Sequence, residues 1–394
     1  MLLRSYHLVR ELAVRNDLDL VAFTQRNLLS PIYADVDQGL EEAREHLSDY
    51  CRSVAFVPLP SDRSRWGRHA LALRSLVTGS AYDLEWLTSP AYRAAVEAKI
   101  ARNIYDVVHV DTVGLMQYAD LVPRGVPIVL DHHNVESHML ERRAGRTSGW
   151  RRAFFTLQAR RVRALEERWC ETVALNAVCS EMDAERLTEI APHAPVEVVP
   201  NGVDIEFFKP SSGRKRERRI IFVGTLDWYP NTEAVRRIAH HIWPLLRDRD
   251  PEMHCDIIGG SPPEDLVELA ARDDRFHVHG FVDDIHPWLE QALAYVCPIR
   301  DGGGTKLKIL DALAMSKAIV ADPIACEGID VTDGTNVLFA TEPDAYVEAI
   351  LRLRDDDELR DQLEENARRL AVERYSFRAV GDDFSRSLRA LASA

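Results

Sequence analysis

Short apolar runs alternate with longer amphipathic stretches along almost the whole chain. In the first half the strand candidates are LDLVAF (18–23), SVAFVP (53–58), YDVVHV (105–110), VPIVL (126–130), VALNAV (173–178) and VEVVP (196–200). In the second half they are RIIFVG (219–224), HCDIIG (254–259), RFHVHG (275–280), LAYVCP (293–298), KAIVAD (317–322) and NVLFA (336–340). Runs such as VVHV and IIFV lack polar alternation, which predicts strands buried on both faces of a parallel sheet. The helical patterns between them supply the crossovers that parallel strands need. This is an α/β chain.

Between VVPNGVD and RRIIFVG lies FFKPSSGRKRERR, a Pro, Ser, Gly and charge cluster that reads as a linker. It sets a boundary near 200–215 between two Rossmann-like halves of similar size, 1–200 and 201–375. A closing helical stretch, 376–394, is set off by a break near Tyr375–Ser376. The second half opens with strand, glycine turn and helix in RRIIFVGTLDWYPN, as a doubly wound domain does. The first half opens directly in an amphipathic helix, MLLRSYHLVRELAVRND, so its first and central strand is missing from the pattern. Either the true start lies upstream or the first sheet is built differently from its twin. On the first view, a chain extended by roughly 15–20 residues, a strand plus a loop, is expected to be more stable and more active.

At roughly 150 residues per domain, 394 residues make two or three domains. A hydrophobic fraction of 46% with 28% charged residues belongs to a globular protein. The net charge of −14 argues against a nucleic-acid partner, because neutralising phosphates takes a basic face. No uncharged apolar run approaches the roughly 18 residues of a membrane span. Six scattered cysteines show neither a CxxC nor a Cys/His metal spacing, which predicts buried thiols, a cytoplasmic setting and no metal. No G-x-G-x-x-G follows any predicted strand, so no nicotinamide and no other cofactor is expected.

The most informative chemistry lies in CPIRDGGGTKLKILDALAMSKAIVADPIACEGID (297–330). A strand ends, a turn with Gly302, Gly303 and Gly304 follows, and a helix begins near Thr305, with Leu307 in its first turn. Free N–H groups at a helix start attract anions, and glycines let a ligand approach the backbone. Lys306 and Lys308 add positive charge there, and Asp311 is placed to accept ribose hydroxyl hydrogen bonds. Gly224 and Thr225 end the first strand of the second half, and Asn231 starts the next helix. Gly280, Phe281 and Val282 offer backbone to a nucleobase, with Asp283 and Asp284 as helix caps. In the first half, Asp131, His132, His133 and Asn134 follow a strand end, the usual ligand position of a parallel sheet. Residues 142–169 carry nine arginines against two acids, interleaved with Trp150, Phe154 and Phe155. That stretch is either a solvated helix face or a patch for anionic lipid at the inner face of the cell membrane.

These residues, in this order, resemble the family 4 glycosyltransferases of the GT-B fold. The resemblance covers LRSYHLVRELA, the HHN strand end, AVCSEMDAERL, VVPNGVDIEFF, FVGTLDWYPN, HGFVDD and GGGTKLKILDALAMSKAIVADPIACEGI. It implies two Rossmann-like domains with parallel sheets facing across a cleft. The acceptor would sit on the first and a nucleotide-sugar donor on the second. It implies transfer with retention of anomeric configuration to a glycan or lipid-linked acceptor, as in polysaccharide biosynthesis, with no required metal. His133 matches the family's acceptor-side histidine. Of the family's two glutamates, which have seven residues between them, the second is Asp311 here and the first is Gly303. The family's phosphate-binding Arg/Lys pair is replaced by Thr225 and Asn231, which leaves Lys306 and Lys308 to supply that charge. Two alternatives stand beside transfer: a nucleotide-sugar epimerase of the same fold, and a nucleotide-binding module with impaired catalysis.

Overall fold

The computed structural model describes residues 2–29, 33–63, 67–211, 216–301 and 304–393. All twelve apolar runs form strands: β1 (Asp19–Thr24), β2 (Ser53–Pro58), β3 (Val108–Asp111), β4 (Ile128–His132), β5 (Leu175–Val178), β6 (Val196–Val198), β7 (Arg219–Val223), β8 (His254–Ile258), β9 (Phe276–Gly280), β10 (Ala294–Cys297), β11 (Ile319–Ala321) and β12 (Leu338–Phe339). Every pairing among them is parallel. The chain divides into two compact units, one running to Val199 and completed by residues from Gly381 on, the other Pro200–Val380.

The second unit is built on a six-stranded sheet in the order β12-β11-β10-β7-β8-β9. Its central strands are buried along their middles, with Phe222, Ile257, Val296 and Val320 all at 0% exposure. That burial is what their unbroken apolar sequences require, since a helix layer covers each sheet face. Leu310, Leu313, Tyr346 and Leu363 from those helices complete the core.

The first unit is assembled differently. Its strands form two hydrogen-bonded groups, the pair β1-β2 and the four-stranded sheet β3-β4-β5-β6. Among the described residues no strand joins β1 to β3, where the doubly wound order has a central strand. The consequence is visible in burial: β4 and β5 are almost wholly buried, whereas β1 and β3 are mostly half-exposed despite apolar sequences. Side chains take over part of the missing pairing. The Tyr92 hydroxyl donates to the Val21 carbonyl at 3.1 Å, and Tyr105 donates to Asp19 Oδ2 at 2.7 Å.

The opening helix, Leu2–Ala13, is tied to the ends of β3 and β4. Arg4 Nη2 lies 3.0 Å from Asp131 Oδ1, with both side chains almost fully buried, and Ser5 donates to Asp111 at 2.8 Å. Asn16, just past that helix, donates to Ser385 Oγ at 3.0 Å on the closing helix, Phe377–Ala392. A Cβ at Gly381 would stand 2.3 Å from Glu11 Cβ, so glycine sets how closely the two helices approach. The break near Tyr375–Ser376 is an extended Ser376 (ψ 137°) between the turn Ala371–Tyr375 and Phe377. All six cysteines are buried and free, and among the described residues no helix is long and apolar enough to cross a membrane.

Candidate functional site

Three neighbouring strands of the second unit end in backbone with no side chain. β7 leads into Gly224, β8 into Gly259, and β9 ends at Gly280. The Gly224 N–H donates to Ile258 O at 3.0 Å, and the Gly259 N–H to Gly280 O at 2.8 Å. A Cβ at Gly259 would stand 1.8 Å from Gly224 O, so only glycine fits there. At Gly224 a Cβ would meet Lys308 Nζ at 2.5 Å and Asn231 Nδ2 at 3.0 Å. The strand end of β7 is thus left open for two polar side chains.

Lys308 lies in the first turn of the helix Leu307–Ala314 and reaches back to that strand end. Its ammonium donates to Asn231 Oδ1 at 2.5 Å and stands 4.5 Å from the centre of the Phe222 ring. Asn231 in turn donates to Thr225 O at 2.7 Å. Burial pushes the Lys308 pKa down to about 8, against the pull of Cys297 and Asp311. Burial likewise pushes the Asp311 carboxyl up to about 7, although Lys308 and His286 draw it down. A recessed lysine and a recessed carboxyl, each pushed toward its neutral form, stand one helical turn apart at the sheet's carboxyl end, a pattern that clusters at functional sites.

The helix begins at Leu307 rather than Thr305, because Gly304 has a positive φ (+70°) and Lys306 is extended (ψ 96°). The Lys306 ammonium is 3.7 Å from Glu327 Oε2, with its side chain only 8% exposed. Thr305 Oγ1 is buried without a hydrogen-bond partner. Helix-start amides without intrahelical acceptors, two lysines and an unpaired hydroxyl therefore converge on one turn. Gly302 and Gly303 lie outside the described residues. Phe281 is 79% exposed while Val282 packs on the core. Of the two acids after it, expected as helix caps, Asp284 accepts the His286 N–H at 2.9 Å from one residue outside the N-cap position, which Ile285 occupies.

His133 belongs to the first unit, just beyond β4. It is more enclosed than a substrate-facing histidine need be: its side chain is 5% exposed, with Nε2 2.5 Å from Asp111 Oδ1. Asp111 is 36% exposed, and its carboxyl is held below the usual range by His133, against burial. His132 faces inward, with Nε2 3.0 Å from Asn176 Oδ1. Asp131 is held by Arg4. Of the HHN segment, then, Asn134 is the most exposed, and His133 stays buried with its ring on the half-buried Asp111. Among the described residues no group of three His, Cys, Asp or Glu side chains converges as metal ligands would.

Sequence reasoning singled out the Gly224, Asn231 and Lys308 positions without foreseeing that they touch. It missed Asp111, Phe222 and Glu327. Asp111 carries a signal, a carboxylate at the end of a parallel strand in VVHVDT. Phe222 carries none, since a ring under an ammonium reads as an ordinary core residue.

The model for "Glycosyltransferase Family 4" matches residues 5–207, half of the chain, and that for "Glycosyl transferases group 1" matches 217–356. Among curated proteins, an MMP alpha-(1->4)-mannosyltransferase from Mycolicibacterium hassiacum is 28% identical over 305 residues, 73% of this chain and 71% of that one. Among solved structures, Anabaena HepE in complex with UDP superposes with a TM-score of 0.66 at 15% identity, covering 98% of this chain and 96% of that chain. Sucrose-phosphate synthase from Thermosynechococcus elongatus gives a TM-score of 0.58 at 18% identity, over 79% of each. At such identities the structures speak to the fold, which is GT-B: two α/β units with parallel sheets. The chain belongs to glycosyltransferase family 4.

Proposed function

We propose that this glycosyltransferase moves a hexose from a nucleoside-diphosphate sugar to a hydroxyl of a glycan or lipid-linked acceptor, retaining anomeric configuration. The observation that carries the reading is Lys308, held by Asn231 against the glycine end of β7 beside the open helix start. That arrangement supplies positive charge and free amides where a diphosphate would lie. In this reading Lys306, Lys308 and the 304–308 amides bind the leaving diphosphate more tightly as charge builds on its bridging oxygen. The leaving phosphate takes the acceptor proton, so no side-chain nucleophile and no metal is required. Asp311 accepts the ribose hydroxyls, and the Gly280–Val282 backbone lies against the base. His133 orients the acceptor through its Asp111 pair. The similarity to a mannosyltransferase and to a structure in complex with UDP supports the donor class.

A membrane-facing role rests on a separate observation. Trp150 is 75% exposed at the start of the arginine-rich helix Gly149–Cys170, and Arg151, Arg152 and Arg160 are exposed beside it. That helix is joined to Gly67–Thr78 by Arg161, which donates to Ser75 O at 2.8 Å. Leu73, Leu76 and Val77 of Gly67–Thr78 are exposed at 64%, 46% and 81%. Arginines, an exposed indole and exposed aliphatics on joined helices suit the inner face of an anionic membrane.

The test is to incubate the chain with UDP- and GDP-hexoses, with and without an alkyl glycoside, and to monitor products by mass spectrometry and proton NMR. The expected result is donor consumption that depends on acceptor, with the donor's anomeric configuration kept in the product. Conversion of donor without acceptor would overturn transfer in favour of epimerisation.

A further inference from the structure

β9 does not reach its end as a regular strand. Ile257 of β8 pairs with Val278, but Ile258 pairs with Gly280, so His279 is an extra residue bulged out of the ladder. Bulges bend a strand and re-aim a side chain, and they recur next to active sites. Here the bulged imidazole turns onto the sheet, where its Nε2 is 2.7 Å from Asp256 Oδ1. Asp256 is 1% exposed in the middle of β8, and Arg219 of β7 donates to its other oxygen at 2.7 Å. The ring also packs on Trp288, centroids 4.1 Å apart, from the helix His286–Gln291 beyond the loop. A buried carboxylate on a sheet interior is costly unless paired, and burial alone would raise its pKa. His279 and Arg219 hold it below the usual range instead. One carboxylate thereby fixes the residue that precedes Gly280.

Immediately after His279 comes the Gly280–Val282 backbone, the base-facing loop. Gly280 takes a positive φ (+67°) and accepts the Gly259 N–H, Phe281 is exposed, and Val282 is anchored on the core. The loop is therefore pinned at His279 and at Val282, with only the intervening backbone presented outward.

We propose that His279 is a positioning residue for the nucleobase subsite: its bulge, its bond to Asp256 and its packing on Trp288 set the direction in which the Gly280–Val282 backbone meets the base. The proposal rests on the assignment of the second unit as the donor-binding unit and adds a residue that touches no substrate. Its effect falls on nucleoside recognition and not on the chemical step, because the pinned backbone lies on the base side and not at the phosphates.

The experiment measures His279→Ala and His279→Gln, with Lys308→Ala alongside, all first checked for native circular dichroism. The probes are the free nucleoside (uridine or guanosine, whichever base the wild type takes) and its diphosphate, by calorimetry. Steady-state kinetics with the corresponding nucleotide sugar accompany them. His279→Ala should raise the donor KM and weaken nucleoside binding by a common factor of about five to ten, with kcat within twofold. His279→Gln, which keeps an N–H for Asp256, should recover most of that loss. Unchanged KM and nucleoside affinity in folded His279→Ala, or a fall in kcat at constant KM, would overturn the proposal. Lys308→Ala should lose diphosphate affinity while keeping nucleoside affinity. If that loss is seen and His279→Ala is silent, only the positioning role falls. If Lys308→Ala leaves diphosphate binding intact, the donor assignment falls and takes the positioning role with it.

Discussion

Lys308 shows how one side chain can be set up by several neighbours at once. Gly224 leaves room for its ammonium, Asn231 accepts from it, and the Phe222 ring stabilises the cation from below. Burial without a carboxylate contact lowers its pKa to about 8. A diphosphate is an opposite charge and would raise that pKa on binding, so binding takes up a proton wherever the free lysine is neutral. Donor affinity is therefore full below pH 8 and falls as pH rises through it. From pH 7 to pH 9 nucleoside diphosphate affinity should drop about tenfold, the change in the protonated fraction of a group titrating near 8. In Lys308→Arg the charge persists and the profile should be flat over the same range. Calorimetry at three pH values checks both, and a wild-type affinity unmoved by pH would remove Lys308 from the phosphate site.

At the scale of elements, apolar runs marked every strand, although burial on both faces, which leaves a strand no choice of composition, holds only for the central ones. Helix starts were harder to read. The Leu307 start depends on Gly304 and Lys306 adopting non-helical backbone, which a row of good helix formers does not announce. The bulge at His279 was illegible for a related reason: it depends on Asp256 of another strand. The arginine-rich segment shows a third limit. Its composition suggested one patch, yet Arg161 holds the Ser75 and Ser80 carbonyls and Arg163 faces Glu167 at 3.5 Å, so only part of the charge is turned outward. Replacing Arg151, Arg152 and Arg160 together by alanine should weaken co-sedimentation with anionic vesicles, and the wild-type binding should fall as salt rises. Replacing Arg161 should instead lower Tm. Vesicle binding indifferent to both salt and the triple variant would reduce the helix to a solvated face.

For the whole molecule, the two units solve the same problem in different ways. The second has a continuous six-stranded sheet, while the first holds its strands in two groups linked through Tyr92, Tyr105 and helix packing. Its opening helix is fastened at one end by the Arg4–Asp131 pair, which is 3% and 1% exposed. Removing one partner of a buried pair strands the other charge, so Arg4→Ala should cost about 3–5 kcal/mol. Thermal and urea unfolding at neutral pH would measure it. The Asp131 carboxyl lies well below its usual range, held by Arg4 and His109 against burial, so its stabilising share is present at neutral pH and lost on acidification. A change in Tm no larger than that of Arg151→Ala would mean the helix is held mainly by its apolar face.

The central claim is that the second unit binds a nucleoside diphosphate through Lys308. It is tested most directly by titrating UDP and GDP, and the matching nucleosides, into the wild-type chain and into Lys308→Met at pH 7. A charge-assisted contact of about 1.5–3 kcal/mol predicts that Lys308→Met loses about ten- to a hundredfold in diphosphate affinity and almost nothing for the nucleoside. Equal diphosphate affinities in the two proteins, or no binding of either diphosphate to the wild type, would contradict it.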